Sequence, residues 1–96
     1  MNLRRLSPAE DEYVQAAAFY LEESPQAAAR FADEVEEAIE DILRNPLRNV
    51  IYEENLRVKF LHDFPFSIYY IAEETEIVIV AISHQSRRPK YWKRRL

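Results

Sequence analysis

His84, Arg87 and Tyr91 stand within eight residues of one another, in the run S-H-Q-S-R-R-P-K-Y-W-K-R-R-L from Ser83 to Leu96. That run carries six Lys or Arg and no Asp or Glu. An imidazole, a phenol and clustered cations can move protons and hold an anion, so an anionic partner is the chemistry to expect at this end of the chain. Arg57 and Lys59, two residues apart in an alternating segment, share one strand face and could hold a phosphate. Each group also has a plainer reading. Arg57 and Lys59 serve as the polar face of an amphipathic strand, and His84 bonds backbone at a strand end. Tyr91 and Trp92 pack the tail onto a sheet, and Lys93, Arg94 and Arg95 keep the end soluble. Ser83, Ser86 and His84 do not make a hydrolase triad, because no acid lies nearby in sequence and no oxyanion loop is visible.

Composition removes several classes of function. The chain has no cysteine, which excludes disulfides, thiol catalysis and thiolate metal sites. It has no glycine, so phosphate-cradling loops that need close backbone approach are absent. His62 and His84 alone are too few for a conventional zinc site, and no metal or cofactor is expected. With 96 residues, 48% of them hydrophobic and 31% charged, the chain reads as one soluble globular domain over residues 1–96. No apolar core of signal-peptide length and no membrane-spanning run occurs, so the expectation is a cytoplasmic protein without a membrane partner. The net charge of −4 hides an asymmetry: residues 1–56 carry −8 and residues 57–96 carry +4.

The elements that must position these residues follow from pattern. Asn2–Leu6 is a short edge strand with Leu3 and Leu6 as its apolar contacts. Ser7-Pro8-Ala9-Glu10 has capping-box form, with Ser7 as N-cap and Glu10 reaching back. Asp11 and Glu12 add first-turn negative charge. Tyr13, Ala16, Ala17, Tyr20 and Leu21 recur at helical spacing to about Glu23. Ser24-Pro25 opens a second helix at once, with a stripe including Phe31, Val35, Ile39 and Ile42, and Asn45-Pro46 stops it. So tight a junction implies an antiparallel helical hairpin. Asp33, Glu36, Glu37, Glu40 and Asp41 read as a solvated outer face of that helix.

Pro46–Asn55 reads as a loop with Val50, Ile51 and Tyr52 as anchors or a short strand. Leu56–Leu61 alternates, placing Leu56, Val58 and Phe60 on one face. Phe66–Ala72 and Ile77–Ser83 complete a three-stranded antiparallel meander, and the uninterrupted run Ile77–Ile82 fits a strand buried on both faces. The tail, a partner or a second copy could each cover its second face. The order predicts an α+β fold: N-terminal edge strand, helical hairpin, then the meander, with the hairpin on one sheet face.

This order resembles the RelE/ParE toxin superfamily, the toxin halves of bacterial toxin–antitoxin pairs. The local matches are Ala17-Ala18-Phe19-Tyr20, Arg30-Phe31, Leu56-Arg57-Val58, the strand F-P-F-S-I-Y-Y from Phe64 to Tyr70, and A-I-S-H-Q-S-R-R-P-K-Y-W from Ala81 to Trp92. The last two are similar to the ParE-like, plasmid stabilisation branch, and the resemblance spans nearly the whole chain.

The resemblance implies two activities on one scaffold, and fold alone does not choose between them. A RelE-like mRNA interferase is a metal-independent endoribonuclease on ribosome-bound mRNA. It would use Arg57 and Lys59 on phosphate, Arg87 as the transition-state arginine, and His84 or Tyr91 for proton transfer. A ParE-like growth inhibitor would instead bind DNA gyrase. Arg87, Arg88, Lys90 and Trp92, with Lys93, Arg94 and Arg95, would then form the target-binding tail. Ser67 stands about where RNA-cleaving members carry another arginine, and the acidic helices suit ribosomal RNA poorly. The ParE-like reading is therefore preferred, with an antitoxin protein as partner; a member that only binds its antitoxin is the third reading. A homodimer or a toxin–antitoxin hetero-oligomer is the assembly to expect.

Overall fold

Two serine-proline pairs start two helices almost end to end, and a computed structural model describing residues 1–96 shows how each start is built. Strand β1 (Asn2–Arg5) runs directly into helix α1 (Ser7–Glu23) through Leu6. Leu6 is extended because its N–H still bonds the sheet, reaching the Ile79 carbonyl at 3.0 Å. Leu6 therefore takes the N-cap position, and its carbonyl accepts from Ala9 and Glu10 at 2.9 and 3.1 Å. Ser7 lies inside the helix and no side chain caps it, so the capping box read from Ser7 and Glu10 is not formed.

At the second start the expectation holds. Ser24 is extended and accepts from the Ala27 N–H at 3.0 Å, capping helix α2 (Pro25–Arg44). Its own N–H bonds Tyr20 O at 3.0 Å, so one residue ends α1 and begins α2. Helix α2 buries Phe31, Val35, Ala38, Ile39 and Ile42. In α1 the rotation is set by Tyr20, whose ring meets Phe31 and Phe64 at 5.1 and 4.9 Å. Leu21, one step further round the helix, is consequently exposed rather than part of the core.

Strands β2 (Ile51–Glu53), β3 (Leu56–Phe60), β4 (Phe66–Ala72) and β5 (Glu76–His84) join β1 in one sheet of order β1-β5-β4-β3-β2. The sheet has five strands, because the segment around Ile51 pairs with β3 at Ile51↔Arg57 and Glu53↔Leu56. β1 is parallel to β5 and every other pair is antiparallel. Between β4 and β5 the register shifts: Tyr69 faces Ala81 while Tyr70 faces Ile79, leaving Val80 as an extra residue. The bulge sorts the apolar run by face. Ile77, Ile79 and Ile82 join the core under the helices, whereas Val78, Val80 and Ala81 join a smaller cluster on the opposite face.

That second face is covered by the tail. A short 3₁₀ helix (Tyr91–Arg95) brings Trp92 onto Val80 and Ala81, and Trp92 is 1% exposed. The tail thus supplies the cover that the doubly apolar strand requires.

Candidate binding cleft

Alternation along β3 decides which cations meet which face. Leu56 packs in the tail-side cluster, and Phe60 lies opposite Ser67 on the same side. Arg57 and Lys59 point the other way, toward α2 and the loop that follows it. Lys59 Nζ is 3.0 Å from Asp41 Oδ2, and Arg48 bonds the same carboxylate. Hydrogen bonds from Arg48 and then Lys59 lower the Asp41 pKa to about 2. Arg57 donates to the Leu47 and Asn49 carbonyls at 3.1 and 2.7 Å. The two side chains share a face, as alternation predicts, but both tie the sheet to the end of α2. The acidic outer face of α2 is similarly engaged in part: Asp41 holds these cations, and Glu36 holds Arg5 at 3.0 Å and the Tyr13 hydroxyl at 2.9 Å.

His84, Arg87 and Tyr91 gather at the other side, around the end of β5. His84 Nδ1 accepts the Ser86 N–H at 3.0 Å and lies 2.7 Å from Ser86 Oγ, which closes the turn leaving the strand. The Tyr91 hydroxyl donates to Glu12 Oε2, and burial followed by that bond raises the phenol pKa. A phenol so held is a poor proton acceptor at neutral pH. The Arg87 guanidinium stacks 3.9 Å from the Tyr91 ring centre, and Arg95 lies 5.1 Å from it.

Glu12 is the residue that sequence reading undervalued. Taken there as a first-turn charge, it accepts from Ile82 N–H at 3.0 Å, from Arg95 at 2.9 Å and from Tyr91. Its spacing held the clue, since Ala9 and Ala16 lie three back and four on, and both are buried.

Of the basic tail, Lys90 and Lys93 pair with Glu53 at 3.2 and 3.9 Å, Arg95 pairs with Glu12, and Trp92 is buried. Arg87, Arg88 and Arg94 are exposed and form no ion pair. Between tail and sheet opens a cleft of about 300 Å³ with Ser67 and Ser83 in its lining, Phe60 at its rim and Arg87 on its wall. Its twelve lining residues include two arginines and one histidine but no carboxylate. No helix is long and apolar enough to cross a membrane.

The helical hairpin and five-stranded mixed sheet make an α+β fold, and the chain is a member of the RelE/ParE toxin superfamily. Residues 3–89 match the family described as the ParE toxin of type II toxin-antitoxin system, parDE, and the chain belongs to that family. Among solved structures it is similar to the chromosomal ParDE TA system from P. aeruginosa. The TM-score is 0.76 at 18% identity, over 88% of this chain and 95% of that one. At that identity the likeness is one of fold. Comparison with curated proteins gives no match.

Proposed function

We propose that this type II toxin arrests growth by binding DNA gyrase in the cytoplasm, without a chemical step of its own, and that its antitoxin relieves the arrest by binding it. The observation that supports binding over RNA cleavage is the division of the cations by the sheet. Arg57 and Lys59 are spent on Asp41 and backbone carbonyls on the helix side, away from Arg87 and Tyr91. In-line cleavage needs cations, a base and an acid around one phosphate. The cleft side offers Arg87 and Arg88, a histidine that closes a turn, and a phenol locked to Glu12. A binding surface asks only for exposed complementary groups, and Arg87, Arg88 and Arg94 are such groups.

The test pairs two readouts after inducing the chain in bacteria lacking the antitoxin. The expected result is growth arrest with intact transcripts, and inhibition of gyrase supercoiling by purified protein. Arg87→Ala is expected to weaken that inhibition in a graded way, and Lys59→Ala to leave it unchanged. New 5′ ends inside translated codons, lost on Arg87→Ala, would overturn the gyrase reading in favour of a ribosome-dependent ribonuclease.

A further inference from the structure

The cleft between tail and sheet holds a hydroxyl that the fold does not use. Ser67 is 2% exposed, yet its hydroxyl takes part in none of the protein's side-chain hydrogen bonds. No fully sealed side-chain oxygen or nitrogen in the structure lacks a partner, so this hydroxyl opens into the cleft that Ser67 lines. A hydroxyl that opens into the cleft and bonds nothing in the protein is free to bond a ligand atom there. Arg87, the guanidinium on the same wall, is held against Tyr91 and has no acid of its own.

Charge and shape narrow the ligand. Seventeen acids are distributed over this chain, and none lines the cleft. The rim is apolar: Phe60 is 58% exposed and Tyr52 41%. A nucleic acid strand would bring successive phosphates, each needing a cation, but Lys90, Lys93 and Arg95 are already paired. Two free guanidiniums and one free hydroxyl suit a single anionic group carried on an apolar segment.

We propose that this cleft receives one Asp or Glu side chain of the antitoxin. Arg87 pairs with the carboxylate, the Ser67 hydroxyl donates to it, and apolar residues on either side of the acid cover Phe60 and Tyr52. This rests on the reading of the chain as a toxin with an antitoxin partner, and it adds where and by what chemistry the two are keyed together.

Trp92, the chain's one tryptophan, lines the cleft and lies 5.1 Å from the Tyr69 ring, so its emission reports occupancy directly. The experiment uses the full chain and the antitoxin, the latter selected as the protein whose co-expression relieves growth arrest. Antitoxin binding should shift Trp92 emission. Arg87→Glu should weaken binding by about 30-fold or more, as expected for breaking a desolvated charge pair. Ser67→Ala should weaken it about 10-fold, as for a hydrogen bond to a charged group. One Asp or Glu of the antitoxin, changed to Arg, should restore binding to Arg87→Glu and to no other variant. Wild-type affinity in both toxin variants would overturn the proposal while leaving the toxin–antitoxin reading intact. So would failure of every charge swap, or a tri-uridine ribonucleotide that displaces the antitoxin from the cleft. If no protein relieves the arrest, the partner reading itself fails and the proposal with it.

Discussion

Glu12 and Arg95 are 83 residues apart in the chain and meet as a two-pronged ion pair, with Oε1 2.9 Å from Nη1 and Oε2 3.1 Å from Nη2. The reason lies in unequal strand lengths. β1 has four residues and β5 nine, so beyond Ile79 the edge of β5 has no neighbouring strand. Glu12 accepts the Ile82 N–H left there, and Arg95 donates to the Val80 carbonyl at 3.1 Å. Two side chains thus finish a sheet edge and fasten the tail in one step.

Glu12→Gln should therefore be costly although it changes one atom. It leaves the Arg95 guanidinium, whose side chain is 18% exposed, without its counter-charge. A loss of about 3 kcal/mol is expected, as for removing one partner of a largely buried pair. Urea unfolding measures it, and Trp92 emission should move toward that of exposed indole before the global transition. A midpoint equal to wild type would mean the pair contributes nothing net.

Asp41 should shape the acid limb of stability. Its pKa is lowered from 3.8 to about 2, so in the native state it binds its proton less readily than in the unfolded chain. Its contribution is therefore present above about pH 4 and is lost as the pH falls from about 4 to about 2. Asp41→Asn should flatten that part of the stability profile, and Lys59→Met should flatten it in part. Urea midpoints taken across this range check both; an unchanged acid limb in Asp41→Asn would contradict the assignment.

The two helix starts should respond differently to the same substitution. Ser24→Ala removes the hydroxyl that caps α2 and should cost about 1 kcal/mol. Ser7→Ala removes no cap and should fall within about 0.5 kcal/mol of wild type, the range of ordinary surface changes. Equal losses at the two sites would show that Ser7 caps α1 in solution.

Lys90 stands at φ 63 at the entry to the tail helix, in a chain without glycine. The left-handed region costs a residue with a side chain about 1–2 kcal/mol, partly offset in a glycine variant by the greater freedom of the unfolded chain. Lys90→Gly should therefore raise stability by a few tenths to about 1 kcal/mol, even though the ion pair to Glu53 is lost. Differential scanning calorimetry would show it, and a lower Tm would place the Glu53 pair above the backbone term.

Local pattern carried most of the architecture. The Ser24-Pro25 start, the α2 stripe and the doubly apolar run Ile77–Ile82 each encode a short-range preference, and each is found as expected. Misplaced details share a different cause. Ser7 lost its cap role because the sheet holds Leu6 extended, and Leu21 lost its place in the core to the neighbouring aromatic ring of Tyr20. The segment at Ile51 became a fifth strand because β3 offered it an edge.

By itself the sequence determined the elements, their order and the basic character of the tail, because periodicity, caps and charge act between residues close in the chain. It also placed Arg57 and Lys59 on one face, since side chains on a strand alternate whatever the sheet does. Only the tertiary structure decided which face that was, and so parted them from Arg87 and Tyr91. Pairing register, the extra residue at Val80 and the length mismatch between β1 and β5 are relations between distant segments. They select Glu12 as the anchor of the tail and leave Ser67 open at the cleft, since which polar groups find partners depends on where distant chains come to rest.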